Sequence, residues 1–105
     1  MDNKKDLLLR IKRSVMSSVS DATIILYGSY ARGEEKTESD IDLLILLNKD
    51  KITWEDEKEI KYPLYDIEFD IGKIISPLVL SKKDWEMRHR ITPFYENITN
   101  EGIIL

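Results

Sequence analysis

The sequence contains no cysteine, a single histidine, three prolines and four glycines in 105 residues. The missing thiols exclude disulfides, thiolate metal sites and cysteine nucleophiles. One histidine, His89 in the charged run Met-Arg-His-Arg, cannot assemble a zinc site or a histidine-assisted nucleophile, and reads as a surface residue. Long apolar runs are missing as well. No stretch approaches the roughly 20 residues that cross a bilayer. The opening MDNKKDLLLRIKR has neither a long apolar core nor a small-residue cleavage site. The expectation is a cytoplasmic protein with no membrane partner. There are no internal repeats and no low-complexity segments to mark a linker.

Neither sign of charge dominates strongly. Twenty acidic residues against sixteen basic ones leave a net charge of −4. Such a surface repels a phosphate backbone, so long DNA or RNA is a poor ligand. A mononucleotide remains compatible, because divalent cations bridge carboxylates to phosphates. An apolar fraction of 42% suffices for a core, and the length suits one domain over residues 1–105. A domain this small has little surplus stability, so oligomerisation or a covering partner is compatible with it.

Hydrophobic spacing organises the chain. Leu7, Ile11 and Val15 lie four apart, predicting a helix capped by Asp2 or Asn3 and running to about Val19. Thr23–Tyr27 reads as a strand buried on both faces, ending at Gly28. A single helical turn over Ser29–Arg32 stops at Gly33, followed by a polar loop. IDLLILL, residues 41–47, is the strongest strand and also reads as buried on both sides. Residues 53–71 carry Ile60, Leu64, Ile67 and Ile71 at helical spacing, although Tyr65–Ile71 also alternates like a strand; helix is preferred, with Pro63 at a kink or opening a second piece. KIISPLVLS, residues 73–81, is a third strand whose Pro77 marks an edge or bulge. Lys82–Arg90 reads as helix. Thr92 and Pro93 open a last helix that Gly102 ends. The expected class is α/β (α+β), a mixed central sheet with helices packed on it.

Chemistry concentrates between the first two strands. Gly28 and Ser29 follow directly on a buried strand, and Asp40 and Asp42 flank Ile41 at the start of the next. Residues two apart on a strand share a face, so the two carboxylates project together. Their repulsion is relieved by a hard divalent cation such as Mg²⁺. Gly28 lets a phosphate approach the backbone, and Ser29 offers a hydroxyl to it. Taken alone, Asp-x-Asp is more often a solvated strand end than a metal site, and an isolated Gly-Ser is usually a plain turn.

The combination, Gly-Ser, ten residues, Asp-x-Asp, runs within YGSYARGEEKTESDIDLLILL from Tyr27 to Leu47. It resembles the pattern of the polymerase-β-like nucleotidyltransferase superfamily, and GSYARG with SDIDLLI looks most like its minimal nucleotidyltransferase (MNT) branch. That resemblance implies a small nucleotidyltransferase fold in which Gly28 and Ser29 hold the triphosphate of ATP or another NTP. It implies that Asp40 and Asp42 bind Mg²⁺ as the catalytic carboxylates. The reaction implied is transfer of a nucleoside monophosphate, AMP above all, to a hydroxyl acceptor. In the antitoxin half of HEPN/MNT pairs that acceptor lies on a helical HEPN-type partner protein. The alternative is a degenerate module that binds nucleotide or partner without transfer.

One departure favours the alternative. The family places a third metal-binding carboxylate on a later strand, where this sequence has Ser76 and Pro77. Asp66, Glu68 and Asp70 could replace it only if residues 65–71 were a strand; on a helix they face solvent. Elsewhere, Arg32 is expected to brace the turn rather than reach a phosphate, and Lys36 to be solvated. Trp54, Trp85, Phe94 and Tyr95 are expected in core or interface, and Ser17 and Ser18 carry no catalytic signature.

Overall fold

Helix α1 (Lys4–Ser18) starts at Asn3, whose side chain accepts the Asp6 N–H at 2.8 Å, and buries Leu7, Ile11 and Val15. The computed structural model describes residues 3–105, so the alternative cap Asp2 lies outside the described residues. Strand β1 (Thr23–Tyr27) leads through Gly28 into α2 (Ser29–Arg32), and β2 (Ile41–Leu47) follows the polar loop. Helix α3 spans Trp54–Ile71 behind a reciprocal cap, in which Thr53 and Asp56 each accept the other's backbone N–H. Strand β3 (Ile75–Ser81), α4 (Lys82–Met87), α5 (Pro93–Glu101) and a short β4 (Ile103–Ile104) complete the chain. Among the described residues the four strands form one mixed sheet ordered β3-β2-β1-β4, with β1 antiparallel to β2 and β4, and β2 parallel to β3.

Two cores sit on the two faces of that sheet. Ile41, Leu43, Ile45 and Leu47 join Leu7, Ile11, Val15, Ile60 and Leu64 under α1 and α3. Leu44 and Leu46 join Trp85 and Ile98 under α4 and α5. Strand β2 is therefore covered on both sides beyond Asp42, as its apolar run over residues 43–47 predicts. Strand β1 is not: Ile24 and Leu26 are buried, whereas Thr23, Ile25 and Tyr27 remain partly exposed, because the short α5 covers that face incompletely.

Helix α3 is one continuous helix with Pro63 inside it, neither broken nor restarted. Ile60, Leu64 and Ile67 anchor both halves to the same core, which outweighs the hydrogen bond that proline removes. Helix α4 stops at Met87, short of the expected Arg90, and turns lead from there to Thr92. Thr92 and Pro93 open α5 as expected, the Thr92 hydroxyl accepting the Tyr95 N–H at 3.1 Å. Strand β4, too short to show periodicity, was not anticipated. Pro77 does mark an edge. The Ile74 carbonyl turns inward to the Ile41 N–H, while the Ile75 N–H turns outward to Glu68, and Pro77 shares that outward direction, where its missing N–H costs no ladder bond.

Gly102 joins α5 to β4 in ordinary backbone geometry, φ −67° and ψ 146°. A β-carbon there would stand 2.6 Å from both Ile25 Cγ2 and the Ile98 carbonyl oxygen. Gly102→Ala is expected to cost about 1–3 kcal/mol in chemical denaturation, through overpacking alone. Unchanged stability would show that β4 is not seated against β1.

Candidate nucleotide-binding site

The site begins where β1 runs out. Gly28 has φ 73° and ψ −156°, a combination essentially closed to residues with a side chain. Its carbonyl accepts the N–H groups of Ala31 and Arg32 at 3.1 and 3.2 Å, starting the four-residue α2 with Ser29 as its first residue. Gly33, φ 71°, ends the turn in the left-handed region, and the Glu34 N–H closes on the Ser29 carbonyl at 2.9 Å.

Sheet register brings Asp42 to this turn. Antiparallel pairing sets Tyr27 opposite Asp42, and parallel pairing sets Ser76 on its other side. Alternation along β2 sends Ile41 and Leu43 into one core and Asp42 to the opposite face, at the mouth of the strand. A β-carbon on Gly28 would collide with Asp42 Oδ2 and lie 3.3 Å from its Cγ. The Asp42 carboxylate thus lies against the side of Gly28 that a β-carbon would occupy, and the positive φ independently favours glycine at this position.

Electrostatics follow from that placement. Burial raises the Asp42 carboxyl above its ordinary range, the neighbouring charge of Asp40 raises it further, and Arg32 works in the opposite direction. Asp40 lies just before β2 and is exposed. Tyr27 is pushed up by burial and then by Asp42. Arg32 braces the turn as expected, bonded to Glu34 at 2.7 Å and Glu101 at 3.2 Å. Behind Tyr27, Phe94 meets its ring edge-on at 5.4 Å, and Trp85 packs on Phe94 at 5.7 Å.

The acidic residues of α3 stay away. Glu68 accepts the Ile75 N–H at 2.7 Å, Asp70 pairs with Arg10 at 2.6 Å, and Asp66 is exposed. Residues 65–71 are helix, so the alternative strand that could have brought one of these acids to the site is not formed. Glu68 departs from the expected solvated side: it is half-buried and holds the start of β3. Among the described residues, no three His, Cys, Asp or Glu side chains gather as a metal-binding group. What Asp42 has beside it is the hydroxyl-bearing Ser76. Two carboxylates with a hydroxyl nearby are hard oxygen donors, suited to one divalent cation completed by substrate phosphates.

Other expectations meet mixed outcomes. Trp85 is core and Phe94 and Tyr95 are half-buried against it, but Trp54 is 62% exposed. His89 is not a free surface residue; half-buried, it stacks on Trp85 with ring centres 5.7 Å apart. Lys36 is exposed and lines a separate cavity of about 510 Å³ with Lys4, Tyr30 and Lys73. Tyr27 and Glu101 were missed. Tyr27 adjoins Gly28 in sequence, which is a usable signal; Glu101 meets Arg32 only through the path of α5.

Residues 8–102 match the family described as the nucleotidyltransferase domain. A protein of Methanocaldococcus jannaschii named "Putative protein adenylyltransferase" is 32% identical over 101 residues, covering 93% of this chain and 94% of its own. Two further proteins of that organism, with the same form of name, match over 41 residues at 39% and 42% identity. These matches cover 39% of this chain and 48% and 41% of theirs.

Two outcomes follow from the contact between Gly28 and Asp42. With its pKa raised in the fold, Asp42 favours folding below the ordinary carboxylate range, and that stability is lost as pH rises through the raised value. Asp42→Asn is therefore expected to melt above the parent at pH 7 without divalent cations, with the gap closing toward acid pH. A parent that melts higher under those conditions contradicts the account. Gly28→Ala is expected to lose about 1–3 kcal/mol in denaturant melts, from backbone strain and the displaced carboxylate. Full stability in that variant would mean the turn does not need a glycine.

Proposed function

The chain belongs to the nucleotidyltransferase domain family, and from that premise we propose that it transfers AMP from ATP to a protein hydroxyl as a single domain over residues 1–105. The carrying observation is the Asp42 carboxylate lying directly against the Gly28 turn, with Asp40 acting on it electrostatically. Phosphates held by Ser29 and the turn that Gly28 opens would then lie near both carboxylates, which a divalent cation would bridge to them. Asp40 and Asp42 would hold Mg²⁺, which supplies charge neutralisation to the triphosphate when bound. The acceptor oxygen forms a bond to the α-phosphorus in line with the departing group. The α–β bridging P–O bond breaks, pyrophosphate leaves with the electron pair, and the hydroxyl proton passes to solvent. Ser29 and the glycine turn orient the triphosphate, and Arg32, fixed by Glu34 and Glu101, keeps that turn in place.

The name of the M. jannaschii relative supports a protein acceptor. The motif's likeness to the MNT branch supports a hydroxyl on a helical HEPN-type partner chain, in a cytoplasmic setting. Ser76 beside Asp42 favours a second reading, a module that binds nucleotide or partner without transfer, because a second cation finds too few carboxylates.

Incubation of the chain with α-labelled ATP, Mg²⁺ and a HEPN-type partner chain separates the readings. Label is expected on the acceptor, falling at least about 100-fold in Asp42→Asn and rising in Ser76→Asp, which places an acid in register with Asp42. Nucleotide binding without transfer in the parent, and transfer in Ser76→Asp, would establish the second reading. Absence of Mg²⁺-dependent nucleotide binding in both would remove the site altogether.

A further inference from the structure

Helices α1 and α3 lie side by side on one core and carry opposite charge. Helix α1 has Lys4, Lys5, Arg10, Lys12 and Arg13 against Asp6 alone, whereas α3 has seven acids against Lys58 and Lys61. They run antiparallel, since Arg10 meets Asp70 at 2.6 Å and, further along, the Ser18 hydroxyl donates to the Glu59 carbonyl at 3.1 Å. Outside those contacts, large apolar side chains stand in water. Phe69 is 88% exposed, Tyr62 54% and Leu9 41%. Leu9 lines a surface groove with Asp6, Arg10 and Arg13. Charged Glu55, Glu59 and Asp66 are exposed among the aromatics of α3.

We propose that this two-helix face is a homodimer interface in which α1 of each copy packs on α3 of the other. A basic half and an acidic half side by side make a surface complementary to itself, as a closed two-fold contact requires. Charge also selects the axis. A two-fold axis perpendicular to the helices, in the plane of contact, sets α1 on α1 and α3 on α3, like charge on like. An axis parallel to the helices and midway between them sets basic on acidic and keeps each residue at its own level along the pair. The Arg10–Asp70 and Ser18–Glu59 contacts fix those levels. Arg13 of each copy then falls opposite Asp66 of the other, Leu9 near Phe69, and half-buried Met16 near Tyr62.

The area is adequate for a weak dimer. Helices of 15 and 18 residues are about 22 and 27 Å long, and two packed helices span roughly 20 Å. That footprint of about 500 Å² per copy, about 1,000 Å² in all, sits at the lower edge of specific interfaces. Of the two sheet edges, β3 is blunted by the outward-facing Pro77 and β4 offers only two residues for strand addition.

Sedimentation velocity of the full chain from about 1 to 200 µM tests this. A concentration-dependent dimer is expected, weakened by salt. Arg13→Asp and Asp66→Arg, both at exposed positions, should each weaken it at least about tenfold, and the double reversal should restore it to within about threefold. Circular dichroism should show all three variants folded. A chain that stays monomeric throughout, a dimer indifferent to the single reversals, or a double variant no better than the singles would each overturn the proposal.

Discussion

The close approach of the Asp42 carboxylate to Gly28 sets the geometry where β1 ends beside β2. It is a side-chain contact lying beside the hydrogen-bond ladder of the two strands. The pairing of Tyr27 with Asp42 brings the turn and the carboxylate to one level, and the absence of a side chain at Gly28 allows them to touch. That closeness has an electrostatic consequence. The carboxylate loses part of its hydration and sits near a second acid, so it is charged only at a cost that a cation would relieve. The charge of Arg32 offsets only part of that cost, since the net shift remains upward.

The rest of the fold keeps that end rigid. Strand β2 is buried along nearly its whole length between two cores, so the position of Asp42 cannot drift along the strand without moving Leu43, Leu44 and Ile45 as well. Aromatic packing of Phe94 and Trp85 supports Tyr27 from beneath. The Arg32 fork ties the turn after Gly28 to the end of α5. Exposed pairs of this kind contribute little to stability, but one that links two elements restricts where the turn can go. The two faces of the sheet thus divide the work. Helices α4 and α5 lie on the side of Asp42, while α1 and α3 cover the other side and present charged, partly apolar surfaces outward.

Much of this was legible from local pattern. Leu7, Ile11 and Val15 announce α1, and the apolar run 41–47 announces a strand covered on both sides, because periodicity reports directly which side chains leave water. Gly28, Ser29, Asp40 and Asp42 were visible as a spaced motif, and two-residue alternation was enough to set Asp42 opposite the apolar residues around it. Residues 65–71 were ambiguous because their spacing fits both periods. The core contacts of Ile60, Leu64 and Ile67 settle them as helix and remove Asp66, Glu68 and Asp70 from the site.

The chain by itself determined the order and type of the longer elements, and which small and acidic residues stand at the ends of the central strands. These are properties of neighbours in sequence, set by backbone preference and by the spacing of apolar side chains. Only the tertiary structure decided that the empty side of Gly28 belongs to Asp42, that Ser76 stands beside that carboxylate, and that Arg32 reaches Glu101. Each depends on the register between strands or on the path of a helix that closes the fold. Register is chosen by the simultaneous packing of both faces of the sheet, which no single segment encodes.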